Sequence, residues 1–114
     1  ALIVASEAAA AKHGLTPIAR IAGGAAAGVE PRIMGIGPAP ATEKLCQHLG
    51  LTPGQFDVVE LNEAFAAQGI AVLRALGLDE AAPHINPNGG AIAIWVRLVL
   101  PIILIGANNH RIGP

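Results

Sequence analysis

The chain has no tyrosine, two phenylalanines, one tryptophan and one cysteine among its 114 residues. So little aromatic surface leaves little on which successive nucleic-acid bases would stack. Seven basic residues stand against eight acidic ones, giving a net charge of −1 and a pI near 6.5. The basic footprint of a nucleic-acid binder is therefore missing as well. Cys46, standing alone, excludes an internal disulfide and suits a reducing cytoplasm. On its helical segment it reads as a buried or half-buried thiol. No basic stretch precedes an apolar one at the start, as a signal peptide would require. His13, His48, His84 and His110 lie far apart without ligand-spaced partners, which argues against a metal site.

Charge is scarce too. Charged residues make up 13% of the chain and apolar ones 53%. Counting glycine raises the apolar share to roughly 65%, against ~45–50% in an average soluble domain. A chain of this length is one domain, long enough for a core. Its polar groups are too few to cover that domain in isolation, so the composition reads as part of something larger. Some of its surface is expected to be buried against a second domain or subunit. The apolar stretch 91–107 contains Arg97 and Pro101 and falls short of the ~20 clean apolar residues of a membrane span.

What is present alternates between strand and helix signals. Residues 1–5 form a short apolar strand candidate. Ser6 caps a predicted helix through Lys12 and His13, with Gly14 as its stop. Residues 18–22 read as a second strand, after which Gly23-Gly24 permits a bulge or a close backbone approach. Three prolines and two glycines make residues 29–40 an irregular connection. A helix is predicted over 41–49 with Ala41, Leu45 and Leu49 on one face, ended by Gly50. Thr52-Pro53-Gly54-Gln55 fits a capping box with proline at the first helical position. Residues 58–61 form a strand. The helix predicted over 63–76 is apolar on nearly every side, which places it between layers. Residues 79–83 form a loop, His84-Ile85 a short extended piece, and Asn86-Pro87-Asn88-Gly89-Gly90 a tight turn. The alternation argues for an α/β layered fold.

Most local motifs fail as functional signals. Gly35-Ile36-Gly37 lacks the third glycine of a dinucleotide loop, whose position is Pro40, and no strand directly precedes it. There is no Gly-Lys-Ser/Thr phosphate loop. Asn62 at a strand end is, alone, equally a helix cap or a donor facing a cleft. Asn86–Gly90, alone, is a turn. Their order is the informative part: strand, Asn62-Glu63-Ala64-Phe65-Ala66, apolar helix, then Asn86-Pro87-Asn88-Gly89-Gly90-Ala91.

That order resembles the thiolase family. Three stretches carry the resemblance: Gly28-Val29-Glu30-Pro31-Arg32-Ile33-Met34-Gly35-Ile36-Gly37-Pro38, Val59-Glu60-Leu61-Asn62-Glu63-Ala64-Phe65-Ala66-Ala67-Gln68, and Asn86-Pro87-Asn88-Gly89-Gly90-Ala91-Ile92-Ala93. The similarity runs over residues 1–93, and residues 94–114 form a divergent tail. The first two stretches are most similar to 3-oxoadipyl-CoA or acetyl-CoA thiolases. The resemblance implies most of a C-terminal thiolase half: a layered βαβαβ unit with a mixed sheet and a buried central helix, incomplete at its C-terminus. It further implies that Asn62 holds a water binding the thioester oxygen, and that Met34, Ala64 and Phe65 line the acyl pocket. The implied ligand is an acyl-CoA, with coenzyme A as a substrate and no separate cofactor. The implied partner is an N-terminal half or second subunit within a homo-oligomeric, cytoplasmic enzyme.

The departures bear equally on function. In the family, one cysteine is the nucleophile, a histidine activates it, and a second cysteine moves the substrate α-proton. The acylated cysteine belongs to the N-terminal half, and Cys46 is not in its motif. Where the family continues Gly-His-Pro, this chain has Ile94-Trp95-Val96. The later Cys-x-Gly-x-Gly segment has no counterpart, and His110 has the wrong neighbours to replace the missing histidine. Pro101 should interrupt any helix begun at Arg97, leaving 102–105 extended. The leading expectation is thus a thiolase fragment, inactive alone. The alternative is a non-enzymatic assembly or acyl-CoA-binding module that kept the fold and lost the chemistry.

Overall fold

The computed structural model describes residues 2–94 and 103–106. Helix α1 spans Glu7–Lys12; Ser6 Oγ accepts from the Ala9 N–H at 3.2 Å, and the chain turns away at left-handed Gly14. This is the local capping chemistry expected there. The residues on either side depart from expectation. Neither 2–5 nor 18–22 is a strand, and Leu2, Ile3, Val4, Ile18 and Ile21 are between 74% and 94% exposed. A strand exists only through its ladder to a neighbour, and the described residues supply none to these segments.

The connection over 29–40 is more ordered than its composition implies. Pro31–Ile36 forms a 3-10 helix kinked at Ile33, and helix α2 then runs Pro38–Leu49, three residues earlier than predicted. Pro38 and Pro40 are tolerated because N–H groups in the first helical turn have no partner inside the helix. Gly50, at φ 66°, closes α2 as expected. Ala39, Thr42 and Cys46 form its buried face; the Leu45 and Leu49 side chains pack instead over Gly23. A Cβ on Gly23 would lie 3.1 Å from Leu45 Cδ1, so the close approach expected there is real. The capping box at Thr52–Gln55 forms, with the Thr52 N–H donating to Gln55 Oε1 at 2.7 Å.

Strand β1 is Val58–Leu61, as read from sequence. Helix α3 is Ala66–Ala75, so it begins three residues after the predicted start; Asn62–Phe65 leads into it as irregular chain. Gly69, Val72 and Leu73 are its buried residues, whereas Ala66, Ala67, Ile70, Ala71, Arg74 and Ala75 are exposed. The burial expected all round α3 is therefore met on one face within this chain. A four-residue helix α4, Ala91–Ile94, follows the turn at 86–90. Strand β2, Ile103–Gly106, pairs antiparallel with β1 in the register Val58↔Gly106, Val59↔Ile105, Glu60↔Leu104 and Leu61↔Ile103. On the other side of β1, Val59 makes a parallel bridge to Ile85. In place of three alternating strands, the described residues hold one two-stranded sheet with that added bridge. The extended segment expected at 102–105 holds for 103–105. The expectations for Ile102, Trp95–Val96, Arg97, Pro101 and His110 lie outside the described residues.

One core organises these elements. Ala39, Cys46, Phe56, Val59, Leu61, Val72, Leu73 and Leu78 are buried together, with Ile36, Leu51, Leu76 and Ile85 packed around them. Val72 is 0% exposed. Full burial of such a side chain stabilises by about 1.5–3 kcal/mol, the term that holds α3 on β1 and α2. No helix among the described residues is long and apolar enough to cross a membrane.

Candidate functional site

Three segments distant in sequence meet at the C-terminal end of β1. The strand ends at Leu61, and Asn62 follows it directly, half-buried, before the chain turns into α3. Beside it runs the segment 84–92. The Val59 N–H donates to the His84 carbonyl at 2.9 Å, and the Asn86 N–H donates to the Val59 carbonyl at 2.8 Å. The Asn86 side chain then continues the ladder that its backbone began. Its Oδ1 accepts from the Leu61 N–H at 2.7 Å, and its Nδ2 donates to the Leu61 carbonyl at 3.0 Å. Both bonds form around Asn86 at φ 44°, a conformation asparagine adopts more readily than other residues with a side chain. The turn is closed by the Gly89 N–H donating to the Asn86 carbonyl at 2.8 Å.

Glu63 joins this turn to the chain beyond it. Its Oε1 accepts from Asn86 Nδ2 at 3.0 Å, and its Oε2 accepts from the Ile92 N–H at 3.2 Å. Gly90 lies against the same carboxylate, leaving no room for a Cβ. The third segment arrives from the other side. Gln68 Nε2, on α3, donates to the Gly35 carbonyl at 3.1 Å, and a Cβ on Gly35 would come within 2.8 Å of Gln68 Cγ. Gln68 Oε1 is buried without a hydrogen-bond partner among the described residues. The three stretches singled out by their order are thus tied together through Gly35, Leu61, Glu63, Gln68, Asn86 and Ile92.

The predicted site residues occupy distinct environments around this junction. Asn62 stands at the strand end. Met34, in the 3-10 segment tethered by Gln68, is 68% exposed; Phe65, at the N-cap of α3, is 74% exposed. Ala64 beside it is exposed too. An apolar cavity of ≈10 Å³, room for about one water, lies instead inside the core, lined by Thr42, Phe56, Leu61, Val72 and Leu78 among others. Glu63 and Asn86 were not assigned a role by sequence reasoning. A signal existed: a carboxylate entering an otherwise apolar stretch requires a partner, and Asn86 is the polar residue type suited to positive φ.

Cys46 is buried, and its thiol is pushed above the ordinary range by that burial first and by the nearby Glu43 carboxylate second. At neutral pH it is protonated, which makes it a poor nucleophile. No group of three or more His, Cys, Asp or Glu side chains among the described residues is arranged to hold a metal ion.

The chain is similar to known proteins in sequence and in fold. Residues 15–99 fit the model of the thiolase C-terminal domain. The beta-ketoadipyl-CoA thiolase of Pseudomonas putida is 63% identical over 94 residues, which cover 82% of this chain and 24% of that protein. Among solved structures, human mitochondrial 3-ketoacyl-CoA thiolase superposes with a TM-score of 0.73 at 52% identity, over 78% of this chain and 22% of that one. The Bacillus anthracis acetyl-CoA acetyltransferase gives a TM-score of 0.71 at 47% identity, over 76% and 22% of the two chains. The chain belongs to the thiolase family, within its C-terminal domain. It spans about a quarter of the length of the curated relatives it matches.

Proposed function

We propose that this chain supplies the oxyanion side and part of the acyl-pocket wall of a thiolase active site. The parent reaction transfers an acyl group between coenzyme A and a covalent cysteine, by thiolysis or Claisen condensation of a 3-oxoacyl-CoA. Asn62 holds a water that binds the thioester oxygen, and Met34, Ala64 and Phe65 face the acyl chain. The observation that carries this reading is the convergence of the three family stretches at the end of β1, where Asn62 stands. Strand ends in α/β folds are where ligands bind, because helices begin there and backbone donors are free to point outward.

The nucleophile and its acid–base partners come from elsewhere. An N-terminal thiolase half or a second subunit of a cytoplasmic homo-oligomer covers Met34, Phe65 and the exposed face of α3. Coenzyme A enters as substrate, and no further cofactor takes part. The name of the Pseudomonas putida relative supports 3-oxoadipyl-CoA as the acyl substrate. Residues 100–114 lie beyond the stretch that fits the family's C-terminal domain. By itself the chain is inactive. An oxyanion donor is worth about 3–4 kcal/mol, whereas enzymes lower barriers by ~8 kcal/mol or more.

A chimera tests this. Residues 1–93 replace the matching segment of the Pseudomonas putida thiolase, and turnover of 3-oxoadipyl-CoA is measured. Turnover should persist, and Asn62→Ala should lower kcat about 10²–10³-fold. An unaffected Asn62→Ala chimera would remove the assigned role. A chimera that binds substrate but never turns it over would instead support the alternative, a module that binds acyl-CoA without chemistry.

A further inference from the structure

We propose that Glu63 is a positioning residue: its carboxylate clips the 86–92 segment and thereby sets the backbone that carries Asn62. The inference rests on the oxyanion reading of Asn62 for its functional meaning, but its geometry stands independently.

Asn62 is flanked by two residues gripped by the same side chain. On one side, the Leu61 backbone is paired in both directions with the Asn86 amide, at 2.7 and 3.0 Å. On the other, Glu63 Oε1 takes the second Nδ2 proton of Asn86 at 3.0 Å. Asn86 thus spends both donor protons and its carbonyl oxygen on the residues before and after Asn62. Glu63 Oε2 reaches further, to the Ile92 N–H at 3.2 Å. One carboxylate therefore bridges the two ends of the turn, Asn86 and Ile92. Gly90 between them has no space for a side chain because the carboxylate fills it. A carboxylate that accepts from two donors and stacks on a glycine is restricted to one rotamer, and hydrogen bonds to charged acceptors are the stronger kind. The late start of α3 accompanies the same contacts. Glu63 is turned toward 86–92, and Asn62–Phe65 stays irregular chain ahead of α3. Asn62 stands in that irregular backbone at the strand end.

The test uses the 114-residue chain and residue-resolved amide exchange together with the side-chain amide resonances of Asn62. In Glu63→Ala, exchange at Ile92 should accelerate about 10- to 100-fold, and the Asn62 side-chain amide should shift. Val72 and Leu73 should keep their wild-type rates. Glu63→Gln keeps one acceptor oxygen and should restore part of the protection. Gly90→Ala displaces the carboxylate without deleting it and should reproduce the Glu63→Ala pattern. Those two variants also carry the test if Glu63→Ala does not fold. Wild-type exchange at Ile92 with an unmoved Asn62 amide would overturn the proposal. So would a uniform loss of protection extending to Val72, which would make Glu63 a general stabiliser. The chimera described above separates the two claims. If the exchange pattern holds but Asn62→Ala leaves turnover by the chimera unchanged, the clip stands and the oxyanion role falls.

Discussion

Residues 2–30 and residues 38–90 are built from similar apolar side chains and meet opposite fates. In the second region, Val59, Leu61 and Val72 are buried against α2 and α3. In the first, Leu2, Ile3, Val4, Ile18 and Ile21 stand in solvent. Hydrophobicity states that a side chain gains by leaving water, about 25 cal/mol for each Å² removed, but names no partner. In residues 38–90 the partner lies within the chain. For residues 2–30 the described chain provides few long-range contacts, among them Gly23 under Leu45 and Leu49, Val29 against Gly37, and Lys44 Nζ to the Ala26 carbonyl at 3.4 Å. The contrast agrees with a chain spanning about a quarter of the length of the curated relatives it matches.

The sharpest break in that comparison is in stability. Leu73→Ala, in the core, should destabilise the chain by about 2–5 kcal/mol, because the emptied volume is only partly refilled. Ile18→Ala should change it by less than ~0.5 kcal/mol. Denaturant titration of both variants checks the pair, and equal costs would show that residues 2–30 pack in solution.

The exposed apolar surface gives the next effect. The purified chain at micromolar concentration should bind a hydrophobic dye and self-associate in sedimentation. A dye-silent monomer would mean that no partner is missing. A smaller effect concerns Cys46. Its thiol is raised by burial, so the folded state holds its proton to higher pH than the unfolded chain. Stability from this group is complete below the unfolded thiol range and declines as pH rises through the folded one. Native-state alkylation should accordingly be slow at neutral pH, with its pH profile displaced upward from that of the denatured chain. Coincident profiles would contradict the burial. The smallest effect belongs to Arg74 and Glu80, which pair at 2.6 Å on the surface. Arg74→Ala should give no resolvable shift in the denaturation midpoint, since exposed ion pairs are screened by solvent.

How much of this was legible in the sequence follows the reach of the interactions. The start and stop of α1, the Gly50 termination of α2, the Thr52–Gln55 cap and the turn at 86–90 each depend on contacts within a few residues, and each was readable. Strand β1 was readable because a four-residue apolar run between turn signals has few alternatives. The strands expected at 1–5 and 18–22 required a neighbour that local pattern cannot certify. The start of α3 was misplaced: Glu63 pairs with Asn86, 23 residues away, and lies in irregular chain ahead of the helix. The same long reach hid Glu63 and Asn86 as parts of the junction. The position of Asn62 directly after a strand end, by contrast, was legible, because it follows from β1.

The central claim is that this chain carries an oxyanion contributor without a nucleophile. Supplying acetoacetyl-CoA and free coenzyme A to the purified chain and following acetyl-CoA formation tests it directly. Groups that act as a unit in catalysis are not replaced by one surviving contact, so the rate should equal the background. Turnover above background, abolished by Cys46→Ala or by His110→Ala, would show that the chain holds a complete site of its own and would contradict the account.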